Sequence, residues 1–264
     1  MFTANKYVLA ESLEEAYQLN QDKNNIILGG TLWLKLSSRH VDTAIDLSGL
    51  QLDTIEEKED CFKIGCMCTL RDVETHKGVN TYFNGFLATA VENIVGVQFR
   101  NGATIGGSVY SRFAFSDVLT ALLALDTSVE LYQGGIVPLA QFMEMPKDRD
   151  ILVRIIINKK FRNACYSSIR MSATDFPILS CAVSKDQEQW NIVLGARPDR
   201  AKLMEFKLPA KPEESDFKDM MNETIQRVEF GTNNRGSSEY RQMLAGVMML
   251  RGIEILQGGG HYAN

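Results

Sequence analysis

The chain has 264 residues, of which 45% are hydrophobic and 23% are charged, and its formal net charge is −5. This length and composition are typical of a globular protein with enough core for two domains, and the net negative charge argues against nucleic-acid binding. No apolar run reaches the roughly 18 residues of a membrane span, and no basic-then-apolar signal opens the sequence, so we expect a cytoplasmic protein.

Cysteine and histidine do not follow a metal-binding pattern. The five cysteines are odd in number and lie in apolar, strand-like segments, as expected of reduced thiols in a reducing compartment. Cys61, Cys66 and Cys68 lie close together, but no fourth ligand is near them, which disfavours an iron–sulfur cluster. The three histidines are widely spaced and lack partners at ligand spacing, so we predict no metal site.

The first half of the chain predicts short strands that alternate with helices. A capping box at residues 12–15 indicates the start of the first helix. The segment 54–57 is predicted to pair with 61–64, and residues 82–94 are predicted to form one amphipathic helix. The remaining predictions are strands at 6–9, 25–28 and 44–47, a helix opening at 32–36, and a helical segment at 69–74.

The second half predicts a hairpin, a buried strand and then a change of pattern. The hairpin joins 128–132 to 136–138 through a glycine turn, and the continuous apolar run 151–157 is typical of a strand covered on both faces. The later predictions are a meander of three strands at 164–170, 178–185 and 189–196, helices at 213–230 and 238–257, and a loose tail at 258–264.

Two glycine-rich turns form the candidate ligand-binding feature. The first, residues 29–31, follows an apolar strand, and the second, residues 102–108, precedes an almost wholly apolar helix. Gly102, Gly106 and Gly107 can adopt positive φ and leave backbone N–H groups uncovered, while the nearby hydroxyls add further donors, which suits an anion such as phosphate. A single turn of this kind is equally consistent with a tight turn between core elements.

Both turns belong to an ordered set of motifs that extends over nearly the whole chain. The motifs are Leu28-Gly29-Gly30-Thr31, Ala44-Ile45-Asp46-Leu47, Ile64-Gly65-Cys66-Met67-Cys68-Thr69-Leu70-Arg71-Asp72, Arg100-Asn101, Ala103-Thr104-Ile105-Gly106-Gly107, Ser116-Asp117 before Leu122-Leu123-Ala124-Leu125-Asp126, and Arg235-Gly236-Ser237-Ser238-Glu239-Tyr240-Arg241. In this order and spacing they resemble the flavin subunit of the molybdenum hydroxylases, the group of xanthine dehydrogenase and carbon monoxide dehydrogenase.

The resemblance implies an α+β fold with two domains. Residues 1–160 would form a two-lobed FAD-binding domain of the vanillyl-alcohol oxidase (PCMH) type. Residues 161–264 would form a smaller domain like that of the carbon monoxide dehydrogenase flavoprotein, with a three-stranded antiparallel sheet and helices.

The resemblance also implies which residues hold FAD. The first turn would line the pyrophosphate and ribose, and the second would wrap the pyrophosphate and approach the flavin. Asp117 would accept a hydrogen bond from a sugar hydroxyl, although the helix dipole also explains an aspartate there, and Ile94 and Leu152 are equally consistent with core positions. The implied cofactor-binding residues are Ile27, Leu28, Gly29, Gly30, Thr31, Leu32, Trp33, Ile94, Thr104, Ile105, Gly106, Gly107, Ser108, Asp117 and Leu152. We expect no catalytic side chain, because the flavin is itself the reactive group.

Several positions depart from the pattern of the family. Ser108 stands where asparagine is usual, Ala114 where proline is usual, and Ser167 where xanthine dehydrogenases have a lysine. The aromatic bridge at residues 110–115 is also unusual, and its rings can shield the flavin or pack in the core. Arg112 in this bridge can face a nicotinamide nucleotide or a partner subunit.

The implied function is electron transfer. The chain would take electrons from iron–sulfur clusters of a partner subunit, hold them on FAD and pass them to NAD⁺ or another acceptor. Because the sequence lacks a molybdopterin-binding stretch and cysteines for [2Fe–2S] clusters, the implied partners are a molybdopterin-binding large subunit and a [2Fe–2S] small subunit. Two alternatives stay open: a free-standing FAD oxidoreductase, and a non-catalytic assembly scaffold whose flavin site has decayed.

Overall fold

The computed structural model of the chain describes residues 1–161 and 163–258. These residues form two compact units that are each built from several segments of the chain. The first unit comprises residues 1–73, 97–111 and 127–157, and the second comprises residues 74–96, 112–126 and those from 158 onward. The division at residue 160 stays a prediction about domain organisation. The predicted loose tail from residue 259, with His261, lies outside the described residues.

The first unit contains two sheets. The parallel sheet has the order β1-β3-β2, with β1 at Thr3–Leu9, β2 at Ile26–Leu28 and β3 at His40–Asp46. The second sheet has the order β4-β5-β8-β6-β7, with β4 at Ile55–Glu57, β5 at Cys61–Gly65, β6 at Thr127–Leu131, β7 at Gly135–Pro138 and β8 at Leu152–Asn158. Both predicted hairpins are confirmed, and the apolar strand β8 is central and largely buried, as its continuous apolar run predicts.

Ten α-helices connect and cover these strands in the described part of the chain. They are α1 (Leu13–Asn20), α2 (Leu70–Thr75), α3 (Lys77–Tyr82), α4 (Phe86–Glu92), α5 (Val97–Arg100), α6 (Ile105–Ser111), α7 (Asp117–Ala124), α8 (Leu139–Glu144), α9 (Glu214–Arg227) and α10 (Ser238–Leu256). The predicted start of α1 is confirmed, since the Ser12 side chain accepts a hydrogen bond from the Glu15 N–H. None of these helices combines the length and the apolar character needed to cross a membrane.

Two helices are shorter than predicted. The helix predicted over residues 82–94 is confirmed as α4 but spans only Phe86–Glu92, because Asn84 and Gly85, just before it, adopt the left-handed region with φ of 52° and 75° and separate it from α3. The helix expected at residues 32–36 is one 3₁₀ turn at Leu34–Leu36. That turn has no fully buried residue, so tertiary packing does not extend it into a longer helix.

The second unit is organised on an antiparallel sheet with four strands, not the predicted three. The order is β12-β11-β10-β9, with β9 at Asn163–Arg170, β10 at Pro177–Asp186, β11 at Gln189–Gly195 and β12 at Lys202–Lys207. The first three confirm the predicted meander, and β12 pairs with β11. The sequence pattern missed β12 because only Met204 in it is fully buried and lysines occupy both ends, as suits an edge strand.

Side chains of β10 alternate between two different surroundings within this unit. Leu179, Cys181 and Val183 belong to the apolar core shared with α9 and α10. On the other face, Ser180 Oγ lies 3.0 Å from Thr120 Oγ1 of α7. All eight residues of α7 are buried, which explains why the sequence of this helix is almost entirely apolar.

Arg241 ties the start of α10 to the loop before it. Its side chain is 0% exposed, and its guanidinium donates to the Ile178 carbonyl (Nε, 2.9 Å), the Gly231 carbonyl (Nη1, 2.9 Å) and Asn233 Oδ1 (Nη2, 2.7 Å). A single buried cation therefore satisfies acceptors from both β10 and the loop that precedes the helix.

Arg241→Ala is expected to lower the free energy of unfolding by about 3 kcal/mol, because it leaves several buried acceptors without a donor. The control is Arg251→Ala, which truncates an exposed arginine of the same helix and should change stability by less than about 0.5 kcal/mol. Urea unfolding followed by circular dichroism measures both, and equal midpoints for the two variants would contradict the assignment.

Candidate functional site

The two glycine turns meet inside the first unit. A Cβ atom added at Gly30 would lie 1.6 Å from the Gly102 carbonyl oxygen, and one added at Gly29 would lie 2.9 Å from Thr104 Oγ1. Both separations are too short for a side chain, so the backbones of the turns are in direct contact. Two motifs that are some seventy residues apart in the sequence thus form one structural feature.

Glycine is required in these turns because two backbone segments approach each other closely there, and not because the backbone needs positive φ. In the described residues, glycine φ is positive at Gly85, Gly135 and Gly258, none of which lies in either turn, so the predicted use of positive φ is wrong. At Gly106, a Cβ would lie 2.5 Å from the Cys66 carbonyl oxygen. The residue that does adopt the left-handed region is Thr31, with φ of 58°, a strained conformation for a β-branched side chain.

The N–H groups of the second turn are used inside the protein. The Ile105 and Gly106 N–H groups each donate to the carbonyls of Cys68 and Cys66, respectively, at 2.9 Å. The Gly107 N–H donates to Thr104 Oγ1 at 3.2 Å. The expectation that this turn leaves N–H groups uncovered is therefore wrong, because its own residues 105–108 form the first turn of α6.

The first turn offers the free donors instead. The backbone N–H groups of Gly30, Thr31 and Leu32 have no hydrogen-bond acceptor within residues 1–161 and 163–258, and all three residues are partly exposed. Trp33, 46% exposed, follows them and meets the Phe99 ring edge-on at a centroid distance of 6.1 Å. Successive uncovered N–H groups of this kind suit an anionic ligand.

The second turn presents exposed backbone with open space beside it at Gly107. A Cβ added at Gly107, which is exposed, would meet Thr104 Oγ1 at 3.0 Å and no other atom within 4 Å outside its own helix backbone and chain neighbours. The Gly107 Cα would itself lie 3.8 Å from a Cβ at Gly29. Together, the donors of the first turn and the bare backbone at Gly107 fit a phosphate-bearing ligand.

The apolar residues implied for the site occupy different positions within the first unit. Ile105 and Leu152 are buried, 1% and 5% exposed, and belong to its core. Ile27 and Leu28 are partly buried in β2 and pair with β3. Ser108 is partly exposed, and its hydroxyl donates to the Thr104 carbonyl at 3.0 Å. A role of any of these residues in binding stays a prediction.

Two implied site residues, Ile94 and Asp117, belong to the second unit. Ile94 is partly buried just after α4. Asp117 is the first residue of α7 and is 5% exposed. Its Oδ1 accepts a hydrogen bond from Arg170 Nη2 at 2.7 Å and another from the Tyr166 hydroxyl. Burial raises the pKa of the Asp117 carboxyl, and Arg170 and Tyr166 oppose that rise.

Sequence reasoning missed Tyr166 and Arg170, although a signal was present. They are four residues apart on β9, and side chains at even spacing share one face of a strand. If an apolar helix is buried, an aspartate at its start is buried with it. A buried carboxylate then requires a cation nearby to offset the loss of its hydration. Burial also raises the pKa of the Tyr166 hydroxyl well above its usual value, so it acts as a hydrogen-bond donor.

The aromatic bridge packs within the second unit. The Phe113 and Phe115 rings stack with centroids 5.0 Å apart, and Phe115 meets Phe176 at 4.2 Å. Arg112 has φ of 50° and is only 5% exposed. This burial does not favour contact of its side chain with a free nucleotide.

The cysteines lie in surroundings that suppress thiolate chemistry. All five carry free thiols. Burial raises the pKa of Cys66, Cys68 and Cys165 to about 12, so these thiols stay protonated near neutral pH. Across residues 1–161 and 163–258, no group of three or more His, Cys, Asp or Glu side chains is arranged to hold a metal ion.

Known proteins share this fold along its whole length. A chain of the carbon monoxide dehydrogenase of Hydrogenophaga pseudoflava matches with a TM-score of 0.82 at 20% identity, covering 97% of this chain and 98% of that one. The protein YgfM of Escherichia coli K12 is 25% identical over 252 residues, 90% of this chain and 91% of YgfM. The glyceraldehyde dehydrogenase medium chain of Sulfolobus acidocaldarius is 24% identical over 275 residues, 94% of this chain and 96% of that protein.

The fold is thus that of a molybdenum-enzyme flavin subunit. Residues 2–159 match the family described as the FAD binding domain in molybdopterin dehydrogenase, and the chain belongs to this family. The resemblance stated from the sequence motifs is confirmed, as is the class of FAD-dependent oxidoreductase subunit.

Thr31→Asn is expected to raise the free energy of unfolding by about 1 kcal/mol, because asparagine adopts the left-handed region at a lower cost than a β-branched residue. The comparison is Thr174→Asn at an exposed position with ordinary backbone angles, where we expect a change within about 0.5 kcal/mol. Chemical unfolding of the flavin-free protein measures both. A loss of stability in the Thr31 variant would show that its conformation is not strained.

Proposed function

We propose that the chain binds FAD as the flavin subunit of a molybdopterin-containing dehydrogenase. It would pass electrons from iron–sulfur clusters of a partner subunit to NAD⁺ or another acceptor. The observation that carries the proposal is the direct contact of the two glycine turns, with uncovered N–H donors on one and open space at Gly107 on the other. FAD, when bound, supplies the redox chemistry.

The residues of this chain would bind and orient the cofactor. The N–H groups of residues 30–32 would donate to the pyrophosphate, and Gly107 would leave room for it. Asp117 belongs to the second unit, where its Oδ1 accepts hydrogen bonds from Arg170 and Tyr166, and its role as the acceptor of a sugar hydroxyl is proposed from the family motif alone. The backbone groups of the two turns position the nucleotide, and no side chain is required as an acid or base.

The proposed partners are a molybdopterin-binding large subunit and a [2Fe–2S] small subunit. The family description supports the first, and the name of the Sulfolobus relative, a medium chain, supports an assembly of several chains. Purification of the native protein tests this. Co-purification with a molybdenum chain and an iron–sulfur chain supports the subunit, whereas a yellow protein that purifies alone favours a free-standing oxidoreductase.

Gly107→Val is expected to abolish FAD binding while the protein stays folded, because the branched side chain fills the space beside the first turn. Gly246→Val is the control: Gly246 also lies within a helix, and an added Cβ would approach only Ile225, at 3.9 Å. Flavin is released by denaturation and identified by chromatography. We expect FAD, not FMN, from the control and none from the Gly107 variant, and equal retention would show that this turn is not a binding element.

NADH is expected to reduce the flavin of the isolated, FAD-loaded chain under anaerobic conditions, because an NAD-linked output subunit must admit the nicotinamide without its molybdenum partner. Loss of visible flavin absorbance on adding NADH is the measurement, and dithionite gives the fully reduced reference. If dithionite reduces the flavin and NADH does not, the NAD-linked function is wrong. A quinone, oxygen or a carrier protein then becomes the better acceptor hypothesis.

A further inference from the structure

Helix α10 is apolar on two opposite faces. Its inner face, with Ala245, Met248 and Met249, belongs to the core of the second unit. Its outer face carries an outer stripe of four apolar residues, each between 39% and 59% exposed: Tyr240, Met243, Val247 and Leu250. Residues 1–161 and 163–258 leave this outer stripe uncovered. A helix that is apolar on opposite faces is normally buried on both, so the outer stripe is typical of a contact surface.

Helix α9 shows that such a stripe is not a general property of the unit. It packs against the same core through Phe217 and Met220. Every exposed residue of α9 is polar or charged, namely Glu214, Ser215, Lys218, Asp219, Asn222, Glu223, Gln226 and Arg227. On α10, by contrast, half of the exposed residues are the four apolar ones. Scattered apolar residues on a surface are ordinary, but these lie on one line of one helix.

The spacing of the outer stripe suits packing against another helix. Its residues are three, four and three positions apart, which is the heptad spacing of two helices that pack along one line. In an antiparallel pair centred on Ala245, Tyr240 of one copy would face Leu250 of the other, and Met243 would face Val247. The outer stripe is therefore complementary to itself, as a two-fold contact between identical chains requires.

The charged residues around the outer stripe favour the antiparallel arrangement. Glu254 would lie beside the first turn of α10 in the second copy, where the helix dipole favours negative charge. Arg251 would lie on the same side of the interface as Tyr240 of the second copy, within reach of a cation–π contact. A parallel pair would instead set the Glu254 carboxylates of the two copies against each other, which disfavours that pairing.

We propose that the outer stripe of α10 is a self-association surface, covered by the same stripe of a second copy of this chain in antiparallel orientation. This inference concerns the second unit alone and goes beyond the proposed function, because it does not depend on a bound flavin. One helix face is smaller than the roughly 800 Å² per partner of a standard interface, so the dimer should form at micromolar and not at nanomolar concentrations.

The test measures association of the full chain. Sedimentation velocity between about 1 and 100 µM gives the dimer Kd. Met243→Glu and Val247→Lys each place a charge within the outer stripe. Gln242→Glu is the matched control, since Gln242 is an exposed residue of the same helix that lies outside the stripe. Thermal unfolding followed by circular dichroism at the lowest concentration shows that each variant is folded.

The unmodified chain should be monomeric at the lowest concentration and dimeric at the highest. Met243→Glu and Val247→Lys should each weaken association at least about tenfold, because each buries a charge without a partner, and Gln242→Glu should not change it. The double variant should recover most of the loss. In the antiparallel pair, the new carboxylate of one copy meets the new ammonium of the other, whereas a parallel pair would bring like charges together.

Three results would contradict the inference. A chain that stays monomeric at every concentration would show that a second copy does not cover the outer stripe. Equal dimer Kd values for Met243→Glu and Gln242→Glu would place the contact of the dimer elsewhere. A double variant that associates no better than either single variant would exclude the antiparallel register. None of these results bears on flavin binding, which the release of FAD measures separately.

Discussion

The absence of Cβ atoms where the two glycine turns meet is the constraint on which the candidate site depends. At Gly30 the carbonyl oxygen of Gly102 occupies the place of a side chain, and at Gly106 the carbonyl of Cys66 does so. Backbone contact of this kind fixes the relative position of two segments closely, because close-packed atoms have little room to move. The N–H groups of the two turns also differ: those of the second turn are hydrogen-bonded within the protein, whereas those of residues 30–32 have no acceptor within the described part of the chain.

Much of the fold follows from local sequence signals. The capping residue Ser12, the two hairpins of the first unit and the apolar run of β8 each act over a few residues, and the structure contains all of them. Elements whose formation depends on tertiary context were predicted less well than these, because their sequence signals are weaker. The edge strand β12 buries little and so lacks a clear period, and the Asn84-Gly85 pair, which ends α3, lies inside a longer apolar periodicity that suggested one helix.

The site illustrates the same limit at the level of chemistry. The glycine turns were found from sequence, yet the reason for the glycines was wrong, because steric contact between segments some seventy residues apart cannot be read from either segment alone. Asp117 was found through the family motif, whereas Arg170 was not, since its role depends on β9 lying beside α7. A sequence shows which residue types could bind a ligand. Only the fold shows which of their hydrogen-bonding groups are already bonded inside the protein.

The interleaving of the two units along the chain has a consequence for biosynthesis. Helix α7 leaves the ribosome well before β9, β10 and β11, the strands of its own unit, have been made, and all eight of its residues are buried in the finished protein. Until those strands are complete, an almost wholly apolar segment has no sheet to cover it. A nascent chain in that state exposes surface of the kind that chaperones recognise and that promotes aggregation, so the yield of this protein should depend on how quickly its last third is synthesised.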